Sequence, residues 1–161
     1  MMHDNMMMHD RPIANLLARL QGLVARIAAP SLTQAALRVA LAVPFWRSGT
    51  AKWDGFLELS DVAVYLFRDE FRLHLPGGPY AYPAPETFAF GAAMAEVMLP
   101  FLLVLGLFTR FAALGLLGMT LVIQLTVPDG WPVHATWAAM ALAIIAYGPG
   151  RMSIDALIGI E

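Results

Sequence analysis

The sequence predicts an all-α fold, an integral membrane four-helix bundle with an N-terminal amphipathic helix at the membrane interface. Composition is the first reason. Of the 161 residues, 59% are hydrophobic and 14% charged, whereas a soluble domain carries about 25% charged residues. Distribution is the second. Thr87–Phe108 contains one charge, Glu96; Phe111–Val127 contains none; Trp131–Pro149 contains only His134. A helix of about 20 such residues crosses a hydrocarbon core of about 30 Å. The third is the lack of a polar face on these helices, which a buried soluble core would need. With 10 Lys+Arg against 12 Asp+Glu, no basic surface suggests nucleic acid. The zero cysteine count excludes a disulfide scaffold, a Cys-ligated metal site and any thiol redox step on this chain.

Residues 1–11 read as a disordered Met/His-rich terminus. Thioether and imidazole suit Cu(I), so His3, Met6, Met7, Met8 and His9 are metal candidates without a visible ligand geometry. Residues 12–30 read as the interfacial helix. Ile13, Leu16, Leu17, Leu20, Leu23, Val24 and Ile27 recur at helical spacing, opposite Arg19 and Arg26. A signal peptide is the rival reading; Arg19, Gln21 and Arg26 interrupt its apolar run.

Residues 31–161 hold four expected spans, at about 34–56, 87–108, 111–127 and 132–149. The first contains Arg38, Arg47 and Lys52, and is taken as a span because its three neighbours need a partner. Thr109-Arg110 leaves almost no loop, so the second and third spans are antiparallel neighbours. Pro128-Asp129-Gly130 is a turn, and Gly148-Pro149-Gly150 ends the fourth span. The outer loop, 57–86, holds an amphipathic stretch at Val62–Phe71, then Pro76-Gly77-Gly78-Pro79, Pro83 and Pro85. A short interfacial helix and a proline-stiffened return are expected there. Arg11, Arg19, Arg26, Arg110 and Arg151 fall on one side and the acidic outer loop on the other, which places both termini in the cytoplasm.

Ionisable groups inside spans are costly and mark candidate sites. Glu96 shares a helical face with Ala89, Ala92, Ala93 and Pro100, small residues that admit a neighbouring helix. Arg38, Phe45, Gly49 and Lys52 share a face of the first span, with Arg47 opposite. Arg38 or Lys52 is therefore the expected partner of Glu96, and Arg47 is expected to snorkel outward or meet another subunit. Gln124 and His134 lie near the outer ends of their spans. Together Arg38, Lys52, Glu96, Gln124 and His134 are expected to line one pocket opening outward. Trp131 and Trp137 read as aromatic-belt residues.

These residues carry a family resemblance. Leu37-Arg38 through Phe45-Trp46-Arg47-Ser48-Gly49-Thr50-Ala51-Lys52 resembles the first-helix signature of the DoxX family. Leu66-Phe67-Arg68-Asp69-Glu70-Phe71-Arg72 resembles its first connection. Glu96-Val97-Met98-Leu99-Pro100 and Leu105-Gly106-Leu107-Phe108-Thr109-Arg110 resemble its second helix and tight turn. Trp131-Pro132-Val133-His134, Trp137 and Gly148-Pro149-Gly150-Arg151-Met152-Ser153-Ile154-Asp155 extend the match, over roughly residues 34–158. The resemblance implies a four-helix protein of the bacterial inner membrane, beside oxidoreductases linked to quinone, thiol or oxidative stress. It gives Gly49, Pro100 and Arg110 structural roles.

Three functions fit. The first is an accessory subunit of a redox system, holding a quinone in the polar pocket, with no covalent cofactor and a protein partner carrying the redox centre. The second is a non-catalytic membrane anchor or assembly factor. The third is a small transporter with Glu96 as ion carrier, needing oligomerisation; a metal- or copper-related role would fit the N-terminus.

Overall fold

The computed structural model describes residues 11–160. The proposed metal candidates His3, Met6, Met7, Met8 and His9 lie outside these residues. The first helix, α1 (Arg11–Ile27), stands apart: every side chain from Ile13 to Ile27 is exposed, Leu16, Leu20 and Val24 included. A helix that leaves its apolar stripe uncovered has no packing partner among the described residues.

Four long helices follow: α2 (Pro30–Thr50), α4 (Pro85–Leu105), α5 (Thr109–Thr126) and α6 (Trp131–Tyr147). They pack in a closed ring, α2 against α4 and α6, and α5 against α4 and α6. Pro30 and Pro85 sit in the first turn of their helices, where the missing N–H costs nothing. The core of the ring is Leu41, Phe45, Leu103, Leu116 and Ile144, with Ala112, Ala113 and Ala141 letting backbones approach. Large apolar side chains point outward as well, among them Phe101, Phe111, Leu114, Leu121 and Leu142. Soluble monomers do not expose such contiguous apolar surface; hydrocarbon solvates it.

Helices α4 and α5 are each long and apolar enough to cross a membrane. The bent pair α1–α2, with 47° between its halves, makes a third if taken as one broken span. Helix α6 has 17 residues, about 26 Å at 1.5 Å per residue, slightly short of a full hydrocarbon core. Helix α2 ends at Thr50, before the expected 56, because Lys52 turns back to the Gly49 carbonyl and the chain enters a hairpin.

The connection between α2 and α4 carries the strands that the all-α expectation lacks. Strands β1 (Trp53–Gly55) and β2 (Glu58–Leu59) form one small antiparallel pair. The expected interfacial helix is present as α3 (Asp61–Tyr65), capped by Ser60 and extended by a π turn, Leu66–Glu70. The expected irregular return is a hairpin, β3 (Arg72–Leu75) and β4 (Gly78–Ala81). Pro79 fits this edge ribbon because proline is tolerated where no ladder donor is needed. The hairpin packs against the end of α5, where His74 Nδ1 lies 3.1 Å from the Leu125 carbonyl. Phe67, Tyr82 and Ala89 form a second small core beneath it.

The α4–α5 turn is as tight as expected. Gly106 is left-handed (φ +70°), and the Leu107 and Gly106 amides donate to the Leu102 and Leu103 carbonyls, a Schellman closure that only glycine adopts cheaply. A short helix α7 (Ile154–Ile158) follows α6 and returns beneath this turn.

Candidate functional site

Helices α2 and α4 meet most closely at Gly49. A Cβ built there would lie 2.7 Å from the Glu96 carbonyl carbon and 2.8 Å from its Cβ. The glycine therefore sets the spacing of the two helices at the depth of the buried carboxylate. Lys52, on the same face and one turn further, reaches Glu96 Oε2 at 2.5 Å. The face argument is met for Lys52: Arg38, Phe45 and Gly49 are buried and Arg47 is exposed. The Lys52 ammonium also donates to the Ser48 carbonyl (3.3 Å) and hydroxyl (2.8 Å). An ammonium has three protons, so all three have acceptors. Glu96 Oε1 accepts none from the described residues and is not sealed in the core.

The pair lies on the wall of a cavity of about 550 Å³ between α2, α4, α5, Trp137 of α6 and the α2–α4 connection. The remaining wall is mostly apolar, and its aromatic part is Phe45, Phe67, Phe71, Tyr82, Phe88 and Trp137. Trp137 is half-buried against Phe45 at 5.1 Å between ring centroids, which corrects its expected place in an interfacial belt; Trp131 is exposed as expected. The second polar feature of the cavity is the contact of Tyr82 Oη with Thr126 Oγ1 at 2.6 Å. Thr126 donates its own proton to the Val122 carbonyl, so Tyr82 is the donor.

The expected single pocket divides. Gln124 and His134 do not line the Lys52–Glu96 cavity; they face a groove of about 700 Å³ between α5 and α6. Gln124 Nε2 donates to the Pro128 carbonyl at 3.0 Å, which leaves its Oε1 to accept from His134 Nδ1 at 2.8 Å. This bond order places the neutral histidine's proton on Nδ1 and leaves Nε2 bare. His134 packs on Trp137 at 5.2 Å between ring centroids, so Trp137 stands between the two sites.

Arg38 belongs to neither. It lies 14 positions before Lys52, about 21 Å along a helix, at the opposite end of the ring. There it is 2% exposed and donates to the Met152 carbonyl, with Asp155 as the acidic neighbour offsetting its charge. Asp155 itself binds the start of α5: Oδ1 accepts from the Phe108 amide, and Oδ2 from the Thr109 amide and hydroxyl, at 2.7–2.8 Å. Phe108 has a positive φ of 48°, a strained conformation for a side-chain-bearing residue that these bonds hold. Pro100 is buried on the Glu96 face, and Arg110 lies over Gly148 near the same end as Arg38. Sequence reasoning missed Ser48, Phe67, Phe71 and Tyr82 at the cavity, and Asp155 at the other end. The one signal for Asp155 was Ser153, which caps α7 and so fixes where the carboxylate projects. Among the described residues no group of three His, Asp or Glu could hold a metal ion.

Apolar helices solvated on their outer faces, with a charged pair held between them, define a multi-pass helical membrane protein. Residues 33–129 match the DoxX family model, and the chain belongs to that family. It is also 30% identical over 135 residues to an uncharacterized protein of Haemophilus influenzae, covering 76% of this chain and 80% of the relative. No solved structure matches it.

Proposed function

We propose that this chain is an accessory subunit of a membrane redox system, and that its Lys52–Glu96 cavity holds a quinone-like small molecule. The observation that carries the reading is the cavity itself: about 550 Å³ of apolar, aromatic wall with one buried ion pair. That is the make-up of a small-molecule site, a greasy slot with few orienting polar groups. Burying a charged pair costs several kcal/mol of desolvation per ion, and a bundle needing only glue would do as well with apolar residues. The chain has no cysteine, so electrons would enter and leave through a protein partner that carries the redox centre.

In this reading α2, α4, α5 and α6 cross the bacterial inner membrane, α1 lies in the cytoplasmic interface, and both termini are cytoplasmic. The test is displacement of a bound quinone analogue in detergent. Saturable binding that weakens at least tenfold on Lys52→Met supports the site; binding indifferent to that change sinks it. Copurification of a flavin-, sulfur- or metal-bearing protein after mild solubilisation supports the accessory role. The anchor or assembly alternative draws on α1, whose apolar stripe is left uncovered among the described residues. It predicts that the partner is lost on deleting residues 11–27 and kept in Glu96→Gln.

A further inference from the structure

The hydrogen-bond inventory of the cavity says which oxidation state of such a ligand fits better. Every proton of Lys52 is committed, two to Ser48 and one to Glu96. The proton of Tyr82 is committed to Thr126, because Thr126 gives its own to the Val122 carbonyl. What remains is mostly acceptor capacity. The strongest part of it is Glu96 Oε1, a carboxylate oxygen with no donor among the described residues, although Glu96 is only 4% exposed. Tyr82 Oη, 5% exposed as a residue, adds a second acceptor. The donors left are the neutral hydroxyls of Ser48 and Thr87, both on exposed residues of the lining.

A ligand head that brings its own proton satisfies the carboxylate oxygen with a charge-assisted bond, which is about twice as strong as a neutral one. A head that offers only carbonyl oxygens meets Oε1 with a lone pair, and a buried acceptor left unmatched is costly. The walls ask for a flat ring: Phe45, Phe67, Phe88 and Trp137 present aromatic surfaces suited to offset or edge contacts with another ring. We infer that the cavity is selective for the hydroxyl-bearing, reduced form of an aromatic-headed lipophile, a quinol rather than its quinone, with Glu96 Oε1 accepting the ring hydroxyl. The inference rests on the proposed reading of this cavity as a ligand site. It assigns the protein to the side of the redox couple that carries the electrons and protons.

The experiment is anaerobic equilibrium binding of a decyl-substituted benzoquinol and of the matching benzoquinone to the purified full chain in detergent. The readout is the part of the tryptophan fluorescence change that is lost in Trp137→Phe, and decanol is the ring-free control. The quinol is expected to bind at least tenfold more tightly than the quinone, and decanol is expected not to compete. Equal or tighter quinone binding overturns the inference while leaving the ligand site standing. Binding of neither overturns the underlying reading as well. Competition by decanol at quinol-like concentration overturns the aromatic assignment. Glu96→Gln replaces the free acceptor by an amide that also donates, and should erase or reverse the preference; an unchanged preference overturns the role of Oε1. If that variant does not fold, the Lys52→Met/Glu96→Gln double variant, which buries no unpaired charge, serves the test through the quinol-to-quinone affinity ratio, from which the overall weakening expected of Lys52→Met cancels, with the same expected reversal.

Discussion

The two ends of the helix ring use buried charge in opposite ways. At one end Lys52 and Glu96 meet directly, 2.5 Å apart, on the wall of a cavity, and one carboxylate oxygen is left over. At the other, Arg38 and Asp155 are neighbours whose hydrogen bonds go mainly to the backbone: Arg38 donates to the Met152 carbonyl, and Asp155 accepts from the amides of Phe108 and Thr109 and from the Thr109 hydroxyl. Asp155, whose oxygens are both occupied, lines neither the Lys52–Glu96 cavity nor the α5–α6 groove. A carboxylate oxygen left over beside open space is equipped to bind; a carboxylate whose two oxygens are taken up at a helix start is equipped to hold the chain together. Arg38 Nε and Nη1 have no partner among the described residues either, so the free acceptor on the cavity wall, and not unused hydrogen-bond capacity alone, separates the two ends.

The sharpest way to break this contrast is at Asp155. Asp155→Ala orphans two amides at the start of α5 and should destabilise the protein by about 2–4 kcal/mol, the sum of a lost cap and a lost buried acceptor. Thermal denaturation in detergent should show the fall, while ligand affinity in the surviving folded fraction stays within about twofold. A tenfold loss of affinity would join the two ends into one functional unit. At the other end, Gly49→Ala puts a Cβ 2.7 Å from the Glu96 backbone. Overpacking of this kind costs about 1–3 kcal/mol; unlike Asp155→Ala it should also weaken ligand binding, because it moves Glu96.

Smaller still is the stability difference between Lys52→Met and the Lys52→Met/Glu96→Gln double variant. The single change leaves a carboxylate unpaired and should cost about 1–3 kcal/mol, reduced from a fully enclosed pair by the cavity's contact with solvent. The double variant should recover most of it. No recovery would mean that the pair is structural glue, like its counterpart. The least effect belongs to the connection between α2 and α4. Tyr65 donates to Glu70 at 2.8 Å, and that carboxylate raises the phenol's pKa above its ordinary 10.0. A raised phenol pKa adds stability below the unfolded value that is lost as pH rises through the folded one. Ultraviolet titration of the wild type minus Tyr65→Phe should show the shift, and Glu70→Gln should remove its electrostatic part.

The helical faces were legible in the sequence because they need only the 3.6-residue period. Arg38, Phe45, Gly49 and Lys52 fall inside and Arg47 outside, as that period requires. Choosing between Arg38 and Lys52 needed depth along the axis, and two residues about 21 Å apart cannot share one carboxylate. The division of Gln124 and His134 from Lys52 was not legible, since the wheel of each helix says nothing of its rotation against the others. Phe67, Phe71 and Tyr82 were hidden for another reason. They reach the cavity through the fold-back of the connection, and the register Arg72 to Ala81 and Leu73 to Tyr80 is set by a turn rather than by periodicity. Asp155 lies beyond the last long helix, where no apolar pattern points to its target.

The bonds from Asp155 to Thr109 join positions 46 residues apart. At synthesis rates of about 5–20 residues per second, the first amides of α5 wait about 2–9 s for their acceptor. Through that interval the α4–α5 turn lacks the bonds that hold the left-handed Phe108. The carboxylate therefore acts as a completion signal, formed once the whole ring is in place. Chains stopped before residue 155 should present an open turn to quality-control proteases even when every long helix has been inserted.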